Sequence, residues 1–109
     1  MKKTIALIKN QIQKNLVLLY MKGTPECPSC GFSSQVVQIL KNCKINYTFV
    51  NVLDNLNIRK YLPQYSQWPT FPQLWVKGEL LGGCNIIVEM FQTGELLKVF
   101  KKYNVLKKD

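Results

Sequence analysis

The chain has 109 residues, 47% of them hydrophobic, which is enough for one domain, residues 1–109, to bury a core without disulfide staples. Fifteen Lys and Arg against six acids give a formal net charge of +9. The lysines are scattered apart from Lys101, Lys102, Lys107 and Lys108 near the C-terminus, so we favour a solvated basic tail and expect no nucleic-acid partner. No apolar run approaches the roughly 18 residues of a membrane helix and the first ten residues do not form a secretory signal, so we expect a cytoplasmic protein with no membrane partner.

The first half of the chain predicts helix, strand, helix and strand in that order. Ile5, Ile8 and Ile12 recur at spacings of three and four, which is typical of one face of a helix. The apolar run Leu16–Met21 predicts a buried strand. After a loop at residues 22–29, the pattern predicts a helix over residues 34–43 and a strand over residues 47–52.

The second half predicts a short helix, a β-hairpin and two closing helices. We expect the helix at residues 56–65 to be interrupted by Pro63. The hairpin has strands at residues 73–76 and 79–81, and Gly94 separates helices at residues 86–91 and 96–103 as a predicted C-cap. This order of elements predicts an α/β, thioredoxin-like fold, in which helices flank a central mixed four-stranded sheet.

The cysteine pattern points to a reactive or metal-binding thiol. Cys27, Cys30, Cys43 and Cys84 lack the dense spacing of a secreted disulfide framework. The chain contains no histidine, which excludes a Cys/His dyad and a mixed Cys/His zinc site. Cys43 shares an apolar helix face with Val36 and Leu40, so we expect it to pack in the core.

Cys30 is the predicted centre of function. It stands where the loop meets the second helix, and the unpaired N–H groups of a helix N-terminus favour thiolate over thiol. Such a thiolate is either a nucleophile or a soft-metal ligand.

Three separated segments, Met21–Ser33, Trp68–Trp75 and Gly82–Asn85, closely resemble the monothiol glutaredoxins of the CGFS type. The resemblance covers nearly the whole chain and is nearest to the short, single-domain bacterial members. It implies that Ser33 stands where the dithiol members have their resolving cysteine, so that Cys30 acts as a single thiol. It also implies a cis peptide bond before Pro72. It also implies glutathione binding by six residues: Lys22, Arg59, Phe71, Gly83, Cys84 and Asn85.

The residues themselves leave several of these roles open. Lys22 and Arg59 are the cations suited to a ligand carboxylate, yet both could be ordinary solvated side chains. Cys84 is expected to offer its backbone rather than its thiol. The family usually has Asp where this chain has Asn85, and the charge of that Asp meets the ammonium of glutathione; the neutral amide of Asn85 does not carry that charge.

The sequence Cys27-Pro28-Ser29-Cys30, taken alone, would predict a redox pair with Cys27 as the nucleophile. By resemblance, the attacking cysteine of the dithiol members aligns with Cys30 instead. We therefore favour an incidental Cys27, and the alternative is a regulatory disulfide between Cys27 and Cys30.

A [2Fe–2S] cluster needs four thiolate or imidazole ligands, and one chain offers only one suitable cysteine. The resemblance implies that Cys30 from each of two subunits and two glutathione thiolates complete the set, in a homodimer that transfers clusters to recipient apo iron–sulfur proteins and acts in iron homeostasis. A BolA-like protein is an implied further partner. The competing hypothesis is a glutathione-dependent oxidoreductase that removes glutathione from proteins through Cys30.

Overall fold

The computed structural model describes residues 1–108, which form a four-stranded mixed sheet with five helices. The strand order is β2-β1-β3-β4, with β1 parallel to β2 and antiparallel to β3. The elements are α1 (Lys2–Lys14), β1 (Val17–Met21), α2 (Gly31–Cys43), β2 (Thr48–Asn51), α3 (Leu56–Ser66), β3 (Gln73–Val76), β4 (Glu79–Gly82), α4 (Cys84–Thr93) and α5 (Glu95–Lys102). The predicted fold class is confirmed.

Helices cover both faces of the sheet, and the alternation of side chains along β1 divides the core in two. Leu18 and Tyr20 face the layer that contains Ile8 of α1 and Leu62 of α3. The other β1 side chains face the layer formed by α2, α4 and α5. All five residues of β1 are buried, as expected for a strand that lies between two neighbours and two helical layers.

Two element boundaries differ from the prediction in ways that matter for the site. Helix α2 begins at Gly31 rather than at residue 34, because Cys30 itself is its N-cap. Helix α3 continues through Pro63 to Ser66, so the predicted interruption is wrong. The proline removes only the hydrogen bond that its own nitrogen would have donated to Arg59, and burial of Ile58 and Leu62 holds the helix on the sheet.

The remaining predictions hold to within a few residues. Gly94 ends α4 with φ of +84°, a left-handed conformation that glycine adopts without steric cost. The Phe71–Pro72 peptide bond is cis, as the resemblance implied. Among residues 1–108, no helix combines the length and the hydropathy that a membrane span requires.

Two leucines on α3 give a matched test of the layer between α1 and α3. Leu62 is fully buried, whereas Leu56 is 65% exposed. We expect Leu62→Ala to lower the free energy of unfolding by about 2–5 kcal/mol, because it leaves a cavity in the core. Leu56→Ala should change it by less than about 0.5 kcal/mol. Urea denaturation followed by circular dichroism measures both, and equal losses would contradict this packing.

Candidate functional site

The Cys30 thiol lies at the N-terminus of α2 in contact with Ser33. Its Sγ is 3.3 Å from the backbone nitrogen of Ser33 and 3.3 Å from the Ser33 hydroxyl oxygen. Cys30 has extended backbone angles, φ −151° and ψ 156°, as an N-cap residue requires. The thiol therefore occupies the position at which a capping oxygen usually accepts hydrogen bonds from the first turn.

Ser33 is placed so that its hydroxyl can donate to a Cys30 thiolate. The side chain is fully buried, and its Oγ accepts a hydrogen bond of 3.2 Å from the backbone N–H of Lys22. Because the Lys22 N–H uses one lone pair of the Ser33 hydroxyl oxygen and leaves its proton unused, that proton is free to point toward Cys30 Sγ. From the sequence, Ser33 is notable only because it stands in place of a resolving cysteine. Its role as a hydrogen-bond partner of Cys30 follows from its contacts with Cys30 and with Lys22 after β1.

The surroundings of Cys30 favour its ionised form. Burial opposes ionisation, but hydrogen bonds from the Ser33 side chain and from the backbone of Ser33 and Phe32, together with the charge of Lys22, outweigh it, so the pKa of Cys30 is lowered. The thiol is partly exposed. A partly exposed cysteine of lowered pKa can act as a nucleophile or as a soft-metal ligand.

A cavity of about 750 Å³ lies beside the thiol. Three features of its wall are positive or donate hydrogen bonds: the Lys22 ammonium, the Arg59 guanidinium and the N-terminus of α4. All six residues predicted to contact a ligand line this cavity: Lys22, Arg59, Phe71, Gly83, Cys84 and Asn85. Their roles as ligand contacts stay predictions.

Cys30 does not itself line the cavity but lies at its edge. Phe32, two residues later, is part of the wall and is 61% exposed. The negative charge of Cys30 also helps to raise the pKa of Cys84, which lies on the wall, although burial is the larger cause. A ligand in the cavity would therefore have the thiol at one end.

Trp68 is a wall residue to which the prediction gave no role. Its indole Nε1 is buried and has no hydrogen-bond partner among residues 1–108. The ring packs on Gly83, where an added Cβ would lie 3.1 Å from Nε1 and 3.2 Å from the carbonyl oxygen of Pro72. Because Gly83 has no side chain, the Trp68 ring and the turn before β3 can pack directly on this N-cap residue of α4. In the sequence, the position of Trp68 next to Pro69 and close to Pro72 is the feature that connects it with the turn at the cavity.

The other three thiols have different surroundings. Cys43 is 5% exposed in the core, as predicted, and burial raises its pKa. Cys84 is 8% exposed, and its Sγ lies 3.1 Å from Oε1 of Gln35, so its thiol proton is engaged in a hydrogen bond. Cys27 is exposed on the loop, and both Cys27 and Cys30 are free thiols. The regulatory disulfide between them stays a prediction.

Comparison with known sequences agrees with this geometry. The family described as Glutaredoxin matches residues 17–81 of the chain. The chain is a member of the glutaredoxin family. It is 61% identical to Glutaredoxin 4 of Buchnera aphidicola subsp. Acyrthosiphon pisum (strain APS), over 88% of this chain and 93% of that protein. It is 55% identical to Glutaredoxin 4 of Escherichia coli (strain K12), over 94% of this chain and 89% of that protein.

Solved structures of glutaredoxins share the fold. A monomeric truncated mutant of Trypanosoma brucei 1-C-Grx1 superposes with a TM-score of 0.84 at 33% identity, covering 94% of this chain and 93% of that one. A buckwheat glutaredoxin–glutathione complex superposes with a TM-score of 0.84 at 19% identity, over 97% and 94% of the two chains. These structures show the fold, and the Glutaredoxin 4 relatives are consistent with the monothiol type that the sequence predicted.

Replacing Ser33 tests the hydroxyl contact. We expect Ser33→Ala to raise the pKa of Cys30, because the thiolate loses a hydrogen-bond donor while the thiol loses little. The rate of Cys30 alkylation by iodoacetamide at pH 7 should fall about three- to tenfold. The curve of alkylation rate against pH should move to higher pH. Ser34→Ala is the matched control, since the described contacts of Ser34 with Cys30 involve only its backbone. An unchanged profile for Ser33→Ala would contradict the assignment.

Proposed function

We propose that this glutaredoxin binds glutathione in the cavity beside Cys30. Glutathione is an extended peptide with two carboxylates, and the cavity wall offers two cations and the N-terminus of a helix. Arg59 and Lys22 suit one carboxylate, and the backbone N–H groups at Gly83 and Cys84 suit the other. Backbone at Phe71, immediately before β3, would pair with the peptide, which leaves the thiol of glutathione next to Cys30.

We further propose that the cargo held at this site is a [2Fe–2S] cluster. The observation that carries the proposal is a single, partly exposed thiol of lowered pKa beside a cavity of about 750 Å³ with two cations in its wall. In residues 1–108, no group of three or more Cys, Asp or Glu side chains could hold a metal ion. One subunit thus supplies one cysteine ligand, and a complete set needs Cys30 of a second subunit and two glutathione thiolates.

A cluster held partly by a small exchangeable molecule at a subunit boundary is suited to transfer rather than to permanent residence. The protein would act as a cluster carrier in iron–sulfur assembly and iron homeostasis, with apo iron–sulfur proteins as recipients. By resemblance to the family, a BolA-like protein would replace one subunit of the homodimer. A cytoplasmic location fits this role.

The second candidate is a glutathione-dependent oxidoreductase. The lowered pKa of Cys30 favours it, since a thiolate can attack a mixed disulfide between a protein and glutathione. Cys30 would take the glutathionyl group and release the protein thiol, and a second glutathione thiolate would then form oxidised glutathione and free Cys30. This route needs no second cysteine, so Ser33 does not exclude it.

Two adjacent cations on α3 test the glutathione site. Both side chains are exposed, but Arg59 lines the cavity, whereas the Nζ of Lys60 lies 5.2 Å from the centroid of the Tyr61 ring. We expect Arg59→Gln to weaken glutathione binding about three- to tenfold in isothermal calorimetry, because a charge-assisted hydrogen bond at a partly exposed site is lost. Lys60→Gln should leave the affinity unchanged. Equal effects would indicate general electrostatic attraction rather than a specific carboxylate contact.

The cluster proposal is tested by anaerobic reconstitution with iron, sulfide and glutathione. We expect a red species with visible absorption and the mass of a dimer, which forms only when glutathione is present. Cys30→Ser should abolish the colour, and Cys27→Ser should retain it. A wild-type protein that stays colourless and monomeric, yet reduces glutathione mixed disulfides through Cys30, would replace the carrier with the oxidoreductase.

A further inference from the structure

Asn51, the last residue of β2, is partly buried, and its side chain makes three hydrogen bonds. Its Oδ1 accepts from the backbone N–H of Gly23 at 2.9 Å and from that of Leu53 at 3.0 Å. Its Nδ2 donates to the carboxylate of Asp54 at 3.2 Å. These partners fix the orientation of the amide, because only the oxygen can accept from two N–H groups.

The contact with Gly23 holds the loop that precedes the thiol. Gly23 has φ of +91°, and a Cβ on it would lie 2.6 Å from both the carbonyl oxygen of Cys27 and the nitrogen of Ser29. The loop therefore folds back directly onto Gly23, and a β-bridge between Gly23 and Pro28 closes it. The position of the Gly23 N–H consequently sets the position of the whole loop.

From this loop, hydrogen bonds lead to the thiol. The carbonyl oxygen of Lys22 accepts from the N–H of Ser29 at 2.9 Å, next to Cys30. The N–H of Lys22 donates to Ser33 Oγ, which contacts Cys30 Sγ at 3.3 Å. A displacement of Gly23 would therefore move both the Lys22 charge and the Lys22 N–H, whose hydrogen bond orients the Ser33 hydroxyl.

Asn51 is also linked to the start of α3, on the other side of the cavity. The Asn55 side chain donates to the backbone oxygen of Asn51 at 2.9 Å, and Asn55 is the N-cap of α3. The carbonyl of Asn55 in turn accepts from the N–H of Arg59 at 3.0 Å. One residue thus contacts both the loop that carries Lys22 and the helix start that carries Arg59.

We propose that Asn51 is a positioning residue of the site, which holds the loop before Cys30 and the start of α3 in a fixed relation to each other. Its side chain acts through Gly23 on one side and through Leu53 and Asp54, which lead into α3, on the other. The contact with Asn55 uses the backbone oxygen of Asn51 and does not depend on the side chain. The proposal deepens the proposed function, since it rests on Cys30 and Arg59 serving the same cavity. Its effect on the Cys30 thiol does not depend on cluster binding.

The test compares three variants of the full chain without a cluster. Asn51→Ala removes all side-chain contacts, and Asn51→Asp keeps the acceptor but brings a carboxylate next to Asp54. Asn57→Ala is the matched control, an exposed asparagine in the first turn of α3. The readouts are amide hydrogen exchange at Gly23 and Leu53 by NMR, the pH profile of Cys30 alkylation, and glutathione affinity by calorimetry.

We expect Asn51→Ala to speed exchange at Gly23 at least about tenfold, to move the alkylation profile of Cys30 to higher pH, and to weaken glutathione binding about three- to tenfold. Asn51→Asp should keep the Gly23 protection, and Asn57→Ala should resemble the wild type in every readout.

A folded Asn51→Ala protein with a lower melting temperature but unchanged Cys30 profile and glutathione affinity would show a merely structural role and overturn the proposal. If Asn51→Ala does not fold, Asn51→Asp decides: loss of Gly23 protection in that variant with an unchanged Cys30 profile and unchanged glutathione affinity would also overturn the proposal. A failure of cluster assembly in the wild type would leave these exchange and alkylation results intact, so the two proposals fail separately.

Discussion

The site depends on stabilising one thiolate in a protein that has no histidine. Without an imidazole, the charge of Cys30 must be balanced by the hydrogen-bond donors of the α2 N-terminus, by the Ser33 hydroxyl and by the Lys22 ammonium. The first two come from the first turn of α2 and the third comes from the residue after β1, and all three must meet at one sulfur. The fold brings them together because β1 ends at Met21, directly before Lys22, and α2 begins at Gly31, directly after Cys30.

The sheet explains why the cavity lies next to that sulfur. Parallel pairing of β1 with β2 puts Met21 opposite Asn51, so both strands end at the same edge. Antiparallel pairing of β1 with β3 puts Tyr20 opposite Gln73, so the turn containing Phe71 and Pro72 reaches that same edge. Helix α3 follows β2 and α4 follows β4, so these two helices and the turn before β3 surround a cavity at this edge of the sheet.

Much of this could be predicted from the sequence, and the limits have physical causes. Periodic apolar residues predicted all nine elements, and the junction of loop and helix located Cys30. Pro63 misled the prediction because a proline inside a helix costs one hydrogen bond, which the burial of Leu62 and its neighbours offsets. The contacts of Ser33 with Lys22 and of Asn51 with Gly23 span 11 and 28 residues, so no local pattern could reveal them.

The surroundings of the other cysteines explain why the site offers one thiolate. Cys84 lies on the cavity wall, but burial and the charge of Cys30 raise its pKa, and its proton is engaged with Gln35. Burial raises the pKa of Cys43 in the core. Ionising Cys84 beside an ionised Cys30 would place two negative charges at one edge of a partly desolvated cavity, which costs free energy. The same repulsion disfavours a second thiolate beside Cys30.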